Sequence, residues 1–168
     1  DEPSQAIFDP GRVLLASRKI DKPEPLWLAQ LAGATLAIDR AAAAAVLGRR
    51  GGATAEAALV TAVEKDPFWA VRGAAAMALA ALRTPTARDR LIKRLKAEVH
   101  PRARRIVARA LGDFTLDQAA AAALSTIVDK GDASYFVEAE ACLALGRTRA
   151  PRAGELLRKA ATRESFTD

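Results

Sequence analysis

The sequence predicts an all-α fold, an array of antiparallel helix pairs, on three observations. A small-residue segment ending in Leu-Gly or Leu-Ala recurs at Leu47-Gly48, Leu79-Ala80, Leu111-Gly112 and Leu145-Gly146, in steps of 32, 32 and 34 residues. Behind each lies a second segment whose apolar residues fall three or four apart, the spacing of a single helical face. Hydrophobic residues make up 51% of the 168 but aromatics only 5%, and the excess is alanine, which favours helix and close helix packing. A fixed period of this length marks a solenoid, whose units bury their apolar faces against their neighbours.

The elements follow in order. Residues 1–24 precede the repeats as a leader or linker: alternation shows briefly in Ala6-Ile7-Phe8, and Pro10-Gly11 supplies a turn. The repeat domain covers 25–168. Its first helix, Pro25 to Ala32, carries Trp27 one 32-residue step before Leu59, so it is the second helix of an incomplete leading repeat. Helix pairs are expected at roughly 36–64, 70–96, 102–129 and 136–162. Their second helices show Ala58/Leu59/Ala62/Val63, Leu91/Ile92/Leu95, Leu124/Ile127/Val128 and Leu156/Leu157/Ala160. Turns rich in Gly, Pro, Thr and Asp separate the members of each pair. Glu164-Ser165-Phe166 follows Leu157 by the same seven residues that separate Asp66 from Leu59, so another repeat opens at 164. The expectation is about four repeats with a partial one at each end, excerpted from a longer protein.

The composition excludes several classes of function. A lone Cys142 forms no internal disulfide, and no apolar run approaches the roughly 20 residues of a membrane span. The expected chain is soluble and cytoplasmic, with no membrane partner. His100, the one histidine, has no second His or Cys near it, so neither a metal site nor a catalytic site is expected in this chain, and no cofactor. Cys142 between Ala141 and Leu143 reads as a small buried thiol. Gly48, Arg49, Arg50, Gly51 and Gly52 lack the Lys-Ser/Thr ending of a phosphate loop and read as a helix end and turn.

Charge and aromatics mark the candidate surfaces. The net charge is +6 with a sequence pI near 10.0. Arg102, Arg105 and Arg109 fall three and four residues apart on one helical face, a stripe able to track phosphates. A solvated basic face is the simpler account, since no aromatics interleave for base stacking. Basic residues otherwise crowd the turns within repeats, and acids the turns between them. Phe68-Trp69, Tyr135-Phe136 and Phe166 recur where first helices open, and packing over the preceding helix is their expected role. The functional alternative has Trp69 and Tyr135 projecting toward a peptide or a catalytic domain.

The array resembles HEAT repeats. The resemblance lies in Asp66…Val71-Arg72…Leu79, an acid six residues before a base, with Glu98…Arg104 alike and Asp132…Glu138 keeping only the acid. It implies a right-handed α-α superhelix, and a structural ladder between neighbouring repeats from Arg40, Asp66, Arg72, Arg104 and Asp132.

A narrower resemblance covers nearly the whole chain. Phe8-Asp9-Pro10…Leu14…Ile20-Asp21-Lys22-Pro23, Asp66-Pro67-Phe68-Trp69-Ala70-Val71-Arg72, Ala110-Leu111-Gly112-Asp113-Phe114 and Asp132-Ala133-Ser134-Tyr135-Phe136-Val137-Glu138-Ala139 are similar to successive landmarks in the HEAT-repeat C-terminal domain of aminopeptidase N-like zinc metallopeptidases. The resemblance implies a catalytic domain upstream, holding zinc through a His-Glu-x-x-His helix that this chain lacks. Three functions follow as alternatives. The chain is a non-catalytic module over the substrate chamber of such a peptidase, with its own catalytic domain as partner; or a stand-alone scaffold for a peptide or protein partner; or, least favoured, a nucleic-acid binder through the Arg102, Arg105, Arg109 stripe.

Overall fold

The described residues form nine α-helices; Pro, Thr and Asp open the first, fifth and seventh, and Gly closes the second, sixth and seventh. The computed structural model describes residue 3, residues 6–9 and residues 20–162. The described residues contain no strand, and Pro10-Gly11 and the repeat opening at 164 lie outside them. The chain divides into two compact units at the turn after Leu82.

The first unit contains α1 (Glu24–Gly33), α2 (Ala37–Arg50), α3 (Ala53–Lys65) and α4 (Trp69–Leu82). Only Gly51 and Gly52 separate α2 from α3, with φ of 73° and 94°. Two residues in this left-handed region reverse the chain at once, and glycine reaches it without steric cost. At the other end of α3, Asp66 is extended, as the residue before Pro67 must be. Helices α2 and α4 pack on each other as a first layer, while α1 packs on both α2 and α3, the place of a second helix. The core is Trp27, Leu31, Ala43, Ala44, Leu47, Leu59, Val63, Val71, Ala75, Ala76 and Leu79. Each fully buried Leu contributes about 1.5–3 kcal/mol.

The second unit contains α5 (Pro85–Ala97), α6 (Pro101–Leu111), α7 (Gln118–Lys130), α8 (Tyr135–Thr148) and α9 (Ala153–Ala161). Thr84 and Asp117 cap α5 and α7, accepting from the N–H groups of Ala87 and Ala120 at 3.0 and 2.9 Å. His100 stands at the N-cap of α6, followed by Pro101 in its first turn. Helix α6 packs on α8 and α7 on α9, again two layers, around Leu91, Leu111, Leu124, Val137 and Leu145.

First helices start at residues 37, 69, 101 and 135, reproducing the 32, 32 and 34 steps. The longer last step goes into the connections around α7, where residues 112–117 form an extended turn. Phe114 is buried in that turn, and the N–H of Leu116 donates to the carbonyl of Thr148 at 2.6 Å.

At Gly48 and Gly112 the recurring Leu-Gly has a packing cause that the sequence reading missed, whereas at Gly146 a Cβ would meet only Leu157 Cδ1 at 3.6 Å. Gly48 and Gly146 lie inside α2 and α8, not at their ends. A Cβ on Gly48 would sit 2.7 Å from Ala78 Cβ and 2.8 Å from Ala78 Cα; one on Gly112 would sit 2.9 Å from Ala144 Cα. Glycine is required where the next first helix crosses with its main chain nearly touching.

Candidate interaction surfaces

Two kinds of surface emerge from the side chains: an acid–arginine system at the turns between repeats, and an outer face on α6 and α8.

The first begins with Arg40 at the start of α2. Its Nε and Nη2 donate to the two oxygens of Asp66 at 2.7 and 3.0 Å, and its Nη1 donates to the carbonyl of Ala34 at 2.8 Å. Asp66 also accepts from the N–H of Phe68 at 2.9 Å, and its hydrogen bonds to Arg40 push that guanidinium's pKa up. Arg104 repeats the scheme on α6. Nε and Nη2 donate to Asp132 at 2.8 and 2.6 Å, Nη1 to the carbonyl of Glu98 at 2.8 Å, while Asp132 accepts from the N–H of Ser134 at 2.8 Å. Arg72 donates to the carbonyls of Asp66 and Pro67 at 2.9 and 3.2 Å. In all three the guanidinium reaches the carbonyl six residues back.

Glu138 takes that position in the last pair, and the polarity reverses. Its Oε1 accepts the N–H of Asp132, six residues back, at 2.7 Å. An acid serves there because the same turn offers a donor as well as an acceptor.

Beside each bidentate pair a cleft opens between second-layer helices. In the first unit it holds about 560 Å3, lined by Leu28, Leu31, Ala58 and Ala62 with Arg40 and Asp66 at its rim. In the second unit it holds about 430 Å3, lined by Leu95, Ala123, Thr126 and Ile127 with Arg104 and Asp132.

The outer face of α6 and α8 centres on Glu140, a residue the sequence reading did not single out. Arg109 donates from Nε and Nη2 to its two oxygens at 3.1 and 2.7 Å. Arg105 reaches it at 3.4 Å, and Arg147 lies 3.6 Å away while donating to the carbonyl of Arg109 at 2.9 Å. Glu140 is 2% exposed, whereas the three arginine side chains are between 41 and 46% exposed. The hydrogen bonds from Arg109 hold the Glu140 carboxyl below its ordinary range, against the opposing effect of burial, and Glu140 in turn raises the pKa of Arg109. Two members of the basic stripe therefore share a buried carboxylate while their heads stay half exposed, and Arg102 is exposed in the first turn of α6. The signal in the sequence was a second acid in α8, two residues after Glu138 and about one repeat beyond Arg105 and Arg109. A similar pair escaped notice at the α7 cap, where Arg88 donates to Asp117 at 2.9 Å.

The aromatics differ from the packing expectation. Tyr135 and Phe136 are 58 and 67% exposed and Phe68 is 44% exposed, while Trp69 is half-buried against Phe68, the rings 5.8 Å apart. Tyr135 and Phe136 meet edge to face at 6.3 Å, and the Arg105 guanidinium lies 5.8 Å from the Phe136 ring. Phe166 lies outside the described residues. Cys142 is half-buried, not buried as expected.

No group of three or more His, Cys, Asp or Glu is placed to hold a metal among the described residues, and none of their helices is long and apolar enough to cross a membrane. No curated protein matches the chain. The family model for HEAT repeats matches residues 24–112 and 89–168, together spanning every helix described above. With its stacked helix pairs and recurring acid–arginine turns, the chain belongs to the HEAT-repeat family.

Proposed function

We propose that this chain is the non-catalytic, C-terminal HEAT module of an aminopeptidase N-like zinc metallopeptidase, shaping or covering the chamber that admits peptides. The observation that carries the reading is the order of four sequence landmarks, at residues 8–23, 66–72, 110–114 and 132–139. Two of them fold into the same device, an acid in the turn between repeats accepting from an arginine one repeat earlier. The chemistry belongs elsewhere in the parent. This chain holds one histidine, and no residue of it is assigned to zinc.

The product of the whole coding sequence tests the reading. It is expected to contain a His-Glu-x-x-His helix upstream, to bind about one zinc per chain, and to cleave leucine p-nitroanilide, whereas residues 25–168 alone cleave nothing. A whole product lacking that motif and zinc would sink the proposal. It would leave the second reading, a stand-alone scaffold for a protein partner, which the apolar clefts beside Arg40–Asp66 and Arg104–Asp132 favour.

A further inference from the structure

We propose that the outer face of α6 and α8 docks an acidic, apolar-bearing segment of a partner protein, its carboxylates taken by Arg105, Arg109 and Arg147 and its apolar side chains by Phe136 and Leu143. The inference rests on the coarser reading of the chain as a protein-binding HEAT scaffold and not on the peptidase parent.

Residues 136, 140, 143 and 147 of α8 are spaced four, three and four apart, so they form one line along the helix. Three of the four are largely exposed: Phe136 at 67%, Leu143 at 63%, and the side chain of Arg147 at 41%. Glu140 in the middle of that line is covered, because Arg105 and Arg109 reach over from α6 and Arg147 from a later turn. Ala139 and Tyr135 extend the exposed apolar strip beside it.

The charge does not balance. Three guanidiniums surround one carboxylate, leaving two positive charges, and each guanidinium carries five N–H donors in a fixed fork. Glu140 accepts three hydrogen bonds from them. One Arg147 donor goes to the carbonyl of Arg109, and the three heads are half exposed. Structural neutrality would need fewer arginines. What the excess supplies is a preorganised set of donors for carboxylates, since anchoring on a buried acid removes the side-chain freedom that binding would otherwise have to remove. The apolar flank decides the class of anion. Exposed Phe136 and Tyr135 would take a base as readily as an apolar side chain, but Leu143 and Ala139 offer a base nothing, while an acidic segment with Leu or Phe at helical spacing matches the charge and the whole apolar strip.

Fluorescence anisotropy with the full chain tests this. The probe is a labelled peptide of repeating Glu-Leu-Asp-Phe, compared with its Lys-for-acid counterpart, with poly-aspartate, and with single-stranded and duplex DNA. The acidic–apolar peptide is expected to bind at least about tenfold more tightly than any of the others. Phe136→Ser with Leu143→Ser is expected to weaken it about tenfold, and both side chains are exposed enough for the fold to survive. Arg105→Ala with Arg147→Ala is expected to do the same, Arg109 being left in place to hold Glu140; thermal melts check folding. Equal binding by poly-aspartate or DNA would show simple polyanion exchange and overturn the proposal, as would absence of peptide binding or indifference to the Phe136/Leu143 change. Zinc content and peptidase activity of the whole product do not enter these readings, so this proposal and the one before it fail separately.

Discussion

A single buried carboxylate does more at Glu140 than its neighbours in sequence suggest. Its pKa is held down chiefly by the hydrogen bonds from Arg109, and that of Asp117 also falls, its burial outweighed by the Ala120 N–H and by Arg88. A carboxyl depressed in the folded state stabilises above its unfolded pKa, about 4.3 for Glu, and that contribution is lost as pH falls through the folded value. The melting temperature should therefore be flat from pH 7 to about 5 and fall steeply below about 4. Glu140→Gln should cost about 1–2 kcal/mol at pH 7, less than a fully buried pair because the arginines are half in water. It should also flatten the acid limb of the melting curve. A Gln variant with an unchanged acid limb would mean that Glu140 does not titrate with folding. At the ladder, Arg104→Lys keeps the charge but cannot span both Asp132 oxygens and the Glu98 carbonyl. A loss of about 1–2 kcal/mol in urea unfolding is expected, and an unchanged midpoint would reduce the bidentate pair to a surface contact.

At the scale of the helix, the informative residues are glycines of opposite meaning. Gly48 is inside α2, where a Cβ would press on the main chain of Ala78, while Gly154 is inside α9 with nothing within 4 Å. Gly48→Ala should destabilise by about 1–3 kcal/mol through overpacking. Gly154→Ala should stabilise by about 0.5–1 kcal/mol, because alanine loses less backbone freedom and meets no neighbour. Thermal melts of the two variants read the contrast, at about 2–4 °C per kcal/mol for a chain of this size. Shifts of the same sign would show that helix propensity, and not the approach of α4 to α2, governs position 48. The period and the second-helix faces were readable because burial in a solenoid is one-sided and recurs: Leu47, Leu79, Leu111 and Leu145 are each 0 or 1% exposed. The reason for the glycine after them was not readable, because close approach is a property of two helices and the sequence presents one at a time. Glu138 shows the same limit: the lost base looked like a broken ladder, yet the acid satisfies the same turn through its donor.

Over the whole molecule the question is what a net charge of +6 does. Read as a stripe, Arg102, Arg105 and Arg109 suggested phosphate binding; in the structure two of them share Glu140, and that pairing spans two repeats, beyond the reach of a helical-face argument. What remains for nucleic acid is the diffuse charge, which attracts any polyanion and is screened within about 8 Å at physiological ionic strength. Heparin and duplex DNA should therefore retain the chain at low salt and release it steeply as salt rises, with the logarithm of the affinity falling linearly in log salt concentration. The acidic–apolar peptide should lose less over the same range, because burial against Phe136 and Leu143 is not screened. Anisotropy titrations at about 50 and 200 mM salt separate the two. If duplex DNA kept its affinity across that range and lost it on Arg105→Ala with Arg109→Ala, the arginines would be reading phosphates in spite of Glu140, and the protein-docking account of this face would fall.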